Sequence, residues 1–303
     1  MKKTGGTFDP SKRGIIFLAS VPATIDISSR AHSDKLVAVN ELQSNRGTAR
    51  SGNTAHDIVE SWLNAGHRVF LDSGIFNLTN EHMRAHGTTM DEALALAPDL
   101  IDGFDDLLRR YVEAVRLYGD RSWGYIELDQ GGRENKIKTR AKLEEMGLRP
   151  IPVYHPINDG WDYFDELAKG YDRICIGNLV QASPAVRRRI MATISSRKRA
   201  YPELWIHALG VSPTPNLLSF PFDSADASTW LHGVRWGAWH PKADMKTCGA
   251  MDQSFLYNVG EKTEAFKFNG DWSHSVLALG HEYHFISEGW RHHMARLAEE
   301  GLA

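Results

Sequence analysis

Short apolar runs recur along the chain, each closed by Gly, Pro or Asp, and stretches with helical spacing lie between them. The runs Ile15–Ala19, Leu36–Val39, Arg68–Asp72, Gly124–Asp129, Ile151–Tyr154, Arg173–Gly177 and Trp205–Gly210 predict strands. Ser219–Asp223, or its neighbour Gly233–Trp236, is expected to supply the last one. The runs are continuous rather than alternating, as strands covered on both faces of a parallel sheet are. Thr54–Ala65 carries Ile58, Val59, Trp62 and Leu63 at helical spacing, and Asp99–Tyr118 carries Leu100, Phe104, Leu107, Leu108, Tyr111, Val112 and Val115. Lys136–Met146, Tyr163–Lys169 and Pro184–Ala200 follow, the last with Pro in its first turn. Strand and helix alternating in this way predict an α/β fold, a (β/α)8 TIM-like barrel over residues 1–236. A doubly wound open sheet competes, but no GxGxxG or phosphate-loop pattern follows the first strand. Residues 237–303 lose the repeat, are rich in Trp and His, and predict an appended segment packed on the barrel and ending in a helix, Ser287–Glu300.

Composition narrows the classes. At 303 residues with 42 % hydrophobic and 24 % charged residues, the chain suits one α/β domain and excludes a disordered, collagen-like or coiled-coil protein. Lys and Arg number 35 against 38 Asp and Glu, a formal charge of −3, which excludes a uniformly basic nucleic-acid coat but not a local basic face. Two cysteines, Cys175 and Cys248, make neither a disulfide framework nor a zinc site of three or four Cys. Ile15–Ala19 is too short for a signal or membrane segment, so a cytoplasmic setting is expected.

In a barrel the C-terminal strand ends carry the chemistry. Here those ends carry Asp72-Ser73-Gly74, Glu127 to Gly132 with Asp129 and Gln130, His155, Gly177-Asn178, Gly210, and the segment Phe220–Asp226 with Asp223 and Asp226. Converging carboxylates could attack as a nucleophile, shuttle a proton and accept from an amidine-like or guanine-like edge. Each residue also has a plainer reading. A strand-end Asp often caps the next turn, and His155 before a proline suits a packed loop. Five polar strand ends together are harder to attribute to caps alone.

Phe70–Phe76 (FLDSGIF) read with Pro221–Asp226 (PFDSAD) resembles the tRNA-guanine transglycosylase superfamily. Asp72-Ser73-Gly74, Asp129, Gly177-Asn178, Leu209-Gly210-Val211 and Asp223…Asp226 stand in that superfamily's order, over about residues 65–235. The three-Cys, one-His zinc site of the tRNA enzymes cannot be built, since only Cys248 lies in its region. Asn178 and Ile75 replace the second glycines of two motifs. The short, zinc-less chain is most similar to the bacterial and phage deazaguanine DNA transglycosylases, which exchange guanine in DNA for a base such as preQ0. For a phage protein, the cytoplasm would be the host's.

The resemblance implies a cofactor-free base exchange. It makes Asp223 the nucleophile at the deoxyribose C1′ and Asp72 the general acid and base. Asp129 then reads the base edge, with Ser73, Gln130, His155, Gly177, Asn178, Gly210 and Asp226 lining the substrate. Phe76, Tyr154 and Phe222 are candidates for an aromatic platform under an extruded base. Arg187, Arg188, Arg189, Arg197, Lys198 and Arg199, with no acid between Gln181 and Ala200, together with Lys136 and Lys138, are candidate grips on the nucleic-acid backbone. A solvated helix face is their plainer reading. DNA and a 7-deazaguanine base are the implied partners, with tRNA as the alternative and a homodimer left open. The competing functions are a tRNA enzyme, a non-catalytic nucleic-acid-binding homologue and an unrelated barrel hydrolase. Zinc on Cys248 with the C-terminal histidines (His274, His281, His284, His292, His293) is a minor option, and Cys175 reads as core.

Overall fold

The computed structural model describes residues 1–22, 25–26, 31–43, 52–211, 220, 222–228, 230 and 272–300. Eight strands, β1 Ile15–Ala19, β2 Asp34–Ala38, β3 Arg68–Asp72, β4 Gly124–Tyr125, β5 Val153–Tyr154, β6 Arg173–Ile176, β7 Trp205–Ala208 and β8 Ser224–Ala227, form one curled sheet. Every pair is parallel, in the order β4-β3-β2-β1-β8-β7-β6-β5. The edge strands β4 and β5 meet only at one parallel bridge, Ile126 to Ile151. There Ile151 N donates to Tyr125 O at 2.8 Å, and Glu127 N donates to Ile151 O at 3.0 Å. The architecture is therefore TIM-like, but no continuous ladder closes it.

Helices cover the outside: α1 Ala55–Asn64, α2 Ile75–His86, α3 Met90–Ala95, α4 Phe104–Tyr118, α5 Gly132–Glu145, α6 Trp161–Gly170, α7 Pro184–Lys198 and α8 Trp272–Glu299. Thr54 caps α1 and Thr89 caps α3, each in a reciprocal box with an acid at the third helical position (Asp57, Glu92). Ser183 caps α7 ahead of Pro184. The pair α2 and α3 was not expected, because Ile75–Ala95 is largely polar and only a few of its side chains reach the core. The long C-terminal helix starts well before Ser287. Residues 237–271, with Cys248, lie outside the described residues, as do the side chains of His274 and His281.

Alternation decides what faces where. In β1, Ile15, Phe17 and Ala19 enter the central cluster, with Phe70, Trp123, Cys175 and Trp205, while Ile16 and Leu18 pack outward under helices. At the strands' N-terminal end, Phe8 plugs this cluster edge-on to Trp123 and Trp205, and Arg173 lies over its ring. The same end is sealed by α8, where Ser287 Oγ donates to Gly14 O at 2.8 Å and Trp290 is fully buried. The other end, where α1, α2, α5 and α7 begin, is left for chemistry. Among the described residues no helix is long and apolar enough to cross a membrane.

The last strand is the main correction. The strand beside β1 is Ser224–Ala227, one residue past the expected Ser219–Asp223, paired to β1 (Ser224 beside Ile15, Asp226 beside Phe17) and to β7 (Ser224 beside His207), while Gly233–Trp236 lies outside the described residues. Ser-Ala-Asp-Ala has no large apolar side chain and reads as a turn. Pairing on both edges and complete burial make it a strand.

Candidate active site

The shifted strand separates the two aspartates of the FDSAD segment. Asp223 precedes β8 at its N-terminal end, where its carbonyl accepts from Gly14 N at 2.7 Å and its amide donates to Ile206 O at 2.9 Å. Its carboxylate is fully buried, pairs with Lys198 Nζ at 2.5 Å and accepts from Ile206 N at 2.7 Å. Arg13 Nε lies 3.2 Å from Oδ1, an ion pair without hydrogen-bond geometry. Asp223 is thus a structural anion at the sealed end. Asp226, three residues on, has the opposite parity: it shares a face with Ser224, whose hydroxyl meets the interior His207.

Asp226 belongs to the open end. Its Oδ1 accepts from Gly210 N at 2.7 Å and faces His207 Nε2 at 3.2 Å. Gly210, expected to line the substrate, instead supports this carboxylate. Asp72 ends β3 on the interior face and accepts from Gly74 N at 3.2 Å. Gly74 is left-handed (φ 85°), and a Cβ there would meet Asn40 Oδ1 at 2.8 Å, so glycine suits the turn twice over. Ser73 is buried beside it, its hydroxyl 3.4 Å from Ile75 N. Asp129 follows β4, with His155 Nε2 2.8 Å from its Oδ2. Gly177 supports that contact: any Cβ on it would meet the His155 ring at 2.7 Å.

The Asp72 carboxyl feels the other two. Burial pushes the Asp72 carboxyl up to about 7, with the charges of Asp129 and Asp226 adding to the shift. Burial acts on Asp129 too, but the hydrogen bond and charge of His155, helped by the Lys136 charge, hold it below the usual carboxylate range. Two of the three acids have an imidazole partner, and the third, with backbone amides only, is the one whose carboxyl burial pushes up. Because the folded pKa of Asp72 lies above its unfolded value, stability is lost as pH rises from about 4 to about 7. Asp72→Asn keeps an acceptor for Gly74 N and removes this penalty. It is expected to stabilise the protein at pH 8 by about 1–2 kcal/mol, allowing for water at the mouth, and by much less at pH 5. Urea midpoints at the two pH values check this; equal shifts at both would contradict it.

Behind the site lies a buried network that the sequence did not reveal. Glu127 accepts from Val153 N at 2.7 Å and from Arg140 at 2.6 Å. Lys136, expected to grip phosphate, is fully buried and donates to Asp159 at 2.6 Å and Val153 O at 3.1 Å. Asp159 in turn accepts from His155 N at 2.8 Å, so Lys136 steadies the His155 loop. Gln130 is fully buried and its Nε2 donates to Ala93 O and Leu96 O at 2.8 Å, tying α3 to the site. Asn178, the one described non-glycine residue with positive φ (46°), donates to Asn158 Oδ1. The side-chain amide oxygens of Asn40 (Oδ1), Gln130 (Oε1) and Asn178 (Oδ1) are buried without a hydrogen-bond partner.

Three of the other expected grips are also committed elsewhere. Arg187 donates to the carbonyls of Leu179, Val180 and Ala182, closing the loop before α7. Arg197 pairs with Asp165 at 2.6 Å and lies over Trp161, while Lys198 holds Asp223. Arg188, Arg189, Arg199 and Lys138 are exposed. Arg188 and Arg189 sit in the first turns of α7 at the open end, and Arg199 lies about 16 Å further down the helix. Of the expected platform, Tyr154 and Phe222 are core residues, and Phe76 alone is exposed, at 58 %. Cys175 is buried in the central cluster. Among the described residues no group of three or more His, Cys, Asp or Glu is arranged to hold a metal ion. Compared with known proteins, the chain matches no family model and no curated sequence.

Proposed function

We propose that this protein is a guanine transglycosylase that exchanges guanine in DNA for a 7-deazaguanine base through a covalent Asp226–deoxyribose ester. The observation that carries this reading is the trio Asp72, Asp129 and Asp226 at one end of the sheet, one of them with its carboxyl pushed up to about 7 and two steadied by imidazoles. On this reading the curled sheet is a (β/α)8 barrel whose β4–β5 seam is the Ile126–Ile151 bridge.

Each acid has one task. Asp226 Oδ2, which takes no hydrogen bond among the described residues, attacks C1′ as the C1′–N9 bond breaks. Asp72 gives its proton to the departing base, so guanine leaves neutral. In the return step Asp72 takes the proton from the incoming base, whose nitrogen attacks C1′ and frees Asp226. Protons and charge balance over the cycle, and no redox partner is required. Asp129 accepts from the N1–H and 2-amino group of the base; its ionised oxygens have lone pairs beyond the one facing His155. The orphan side-chain oxygens of Gln130 (Oε1) and Asn178 (Oδ1) favour a ligand that brings N–H donors, because a buried acceptor without a donor costs free energy. Phe76 is the exposed ring on which an extruded base would stack, and Arg188, Arg189 and Lys138 contact phosphate.

The test is release of labelled guanine from duplex DNA and, separately, from tRNA when preQ0 is added, with denaturing gels to trap the protein–nucleic-acid adduct. Release from DNA with an adduct lost in Asp226→Asn is expected. Release from tRNA alone would move the substrate to RNA, and release from neither would end the transglycosylase reading.

A further inference from the structure

The geometry points to His207 as the positioning residue for the nucleophile: its Nε2–H holds Asp226 Oδ1 so that Oδ2 is presented to C1′. This rests on Asp226 as the nucleophile proposed above. His207 lies in the middle of β7, fully buried on the interior face. Its ring is wedged among Phe70, Phe17 and Trp205, with centroids 4.9, 5.8 and 6.2 Å away and the Trp205 plane only 7° off parallel. It has little room to rotate.

Both ring nitrogens are engaged. Nδ1 lies 2.5 Å from Ser224 Oγ and Nε2 lies 3.2 Å from Asp226 Oδ1. An attacking carboxylate is ionised and only accepts, so the proton between it and the ring must sit on Nε2. Nδ1 is then the acceptor and the Ser224 hydroxyl the donor. Ser224 is fully buried, two residues before Asp226 on the same face of β8, and fixes the tautomer rather than reacting. Gly210 N donates to the same oxygen at 2.7 Å. Two donors on Oδ1 and none on Oδ2 among the described residues leave one oxygen bound and the other free. A carboxylate held in this way loses less orientational freedom on reaching C1′.

Two measurements test this independently. Nitrogen-15 NMR of the histidine rings in the ligand-free protein, with the His207 signals identified by their loss in His207→Gln, reads the tautomer directly. A proton on Nε2, with a ring signal that changes in Ser224→Ala, is expected; a ring carrying its proton on Nδ1 and none on Nε2 overturns the proposal whether or not the protein exchanges bases. The second is base-exchange kinetics of His207→Leu and His207→Gln. The Leu variant removes the donor, and kcat is expected to fall on the order of 10- to 100-fold, the worth of one charge-assisted hydrogen bond, with KM for DNA nearly unchanged. The Gln variant restores an N–H at the same reach and is expected to recover most of kcat. An unchanged kcat in the Leu variant, or a folded Gln variant no better than Leu, overturns the proposal. A wild-type protein with the expected tautomer but no exchange of any base would overturn the transglycosylase reading alone.

Discussion

Asp226→Asn is expected to abolish the covalent adduct and lower base exchange on the order of 10⁴-fold or more, the scale of losing a nucleophile that acts as part of a unit. The fold should survive, since Asn keeps an acceptor for Gly210 N and His207 Nε2–H and relieves the crowding of three carboxylates. Asp223→Asn makes the opposite prediction: whatever fraction remains folded should still form the adduct. Reading the FDSAD segment by order alone gives the nucleophile's role to Asp223, and the two variants distinguish the assignments in one gel. An adduct that survives Asp226→Asn and vanishes in folded Asp223→Asn would restore the first.

Asp223→Asn carries the second large effect, in stability. The carboxylate lies in a fully buried ion pair with Lys198, with Arg13 beside it and Ile206 N donating to the same oxygen as Lys198. Removing one partner of a buried pair leaves the other charge desolvated, at a cost of about 3–5 kcal/mol. The same holds for Lys198→Met, which strands Asp223. The double variant Asp223→Asn, Lys198→Met should cost clearly less than the two singles added together, because the sites share one interaction. Urea denaturation of the three variants reads this, and strict additivity would show that the pair does not hold β8 to the end of α7.

Much of the scaffold was legible because its signals are local. β1, β3 and β6 are runs of Ile, Val, Leu, Phe and Cys buried on both faces, and their limits match the apolar runs to within a residue. Helices α1, α4 and α6 follow from apolar spacing, and α7 from that and the proline of its first turn. Gly124–Asp129 is less regular than its composition suggests: only Gly124 and Tyr125 join the ladder, followed by the single Ile126–Ile151 bridge. Ser224–Ala227 gave no signal, since burial by its neighbours rather than its own side chains makes it a strand.

The candidate site divides in the same way. That acids cluster at strand ends was readable, and so was the Asp-x-x-Asp spacing, which places its two members on opposite faces of any strand they share. Which of them faces the interior was not, because that depends on the register of a strand whose pairing is set by β1 and β7. Among the basic residues, Arg188, Arg189 and Lys138 look no different along the chain from Lys136, Arg187, Arg197 and Lys198. Their partners, Asp159, the loop carbonyls, Asp165 and Asp223, lie on other elements and are brought close only by folding. By itself the sequence determined the alternation of strand and helix and the residue types at the strand ends, both of which follow from short-range spacing. Only the tertiary structure decided which acid meets His207, which meets Lys198 and which is left to carry the proton, because burial and charge proximity are properties of residues distant in the chain and adjacent in space.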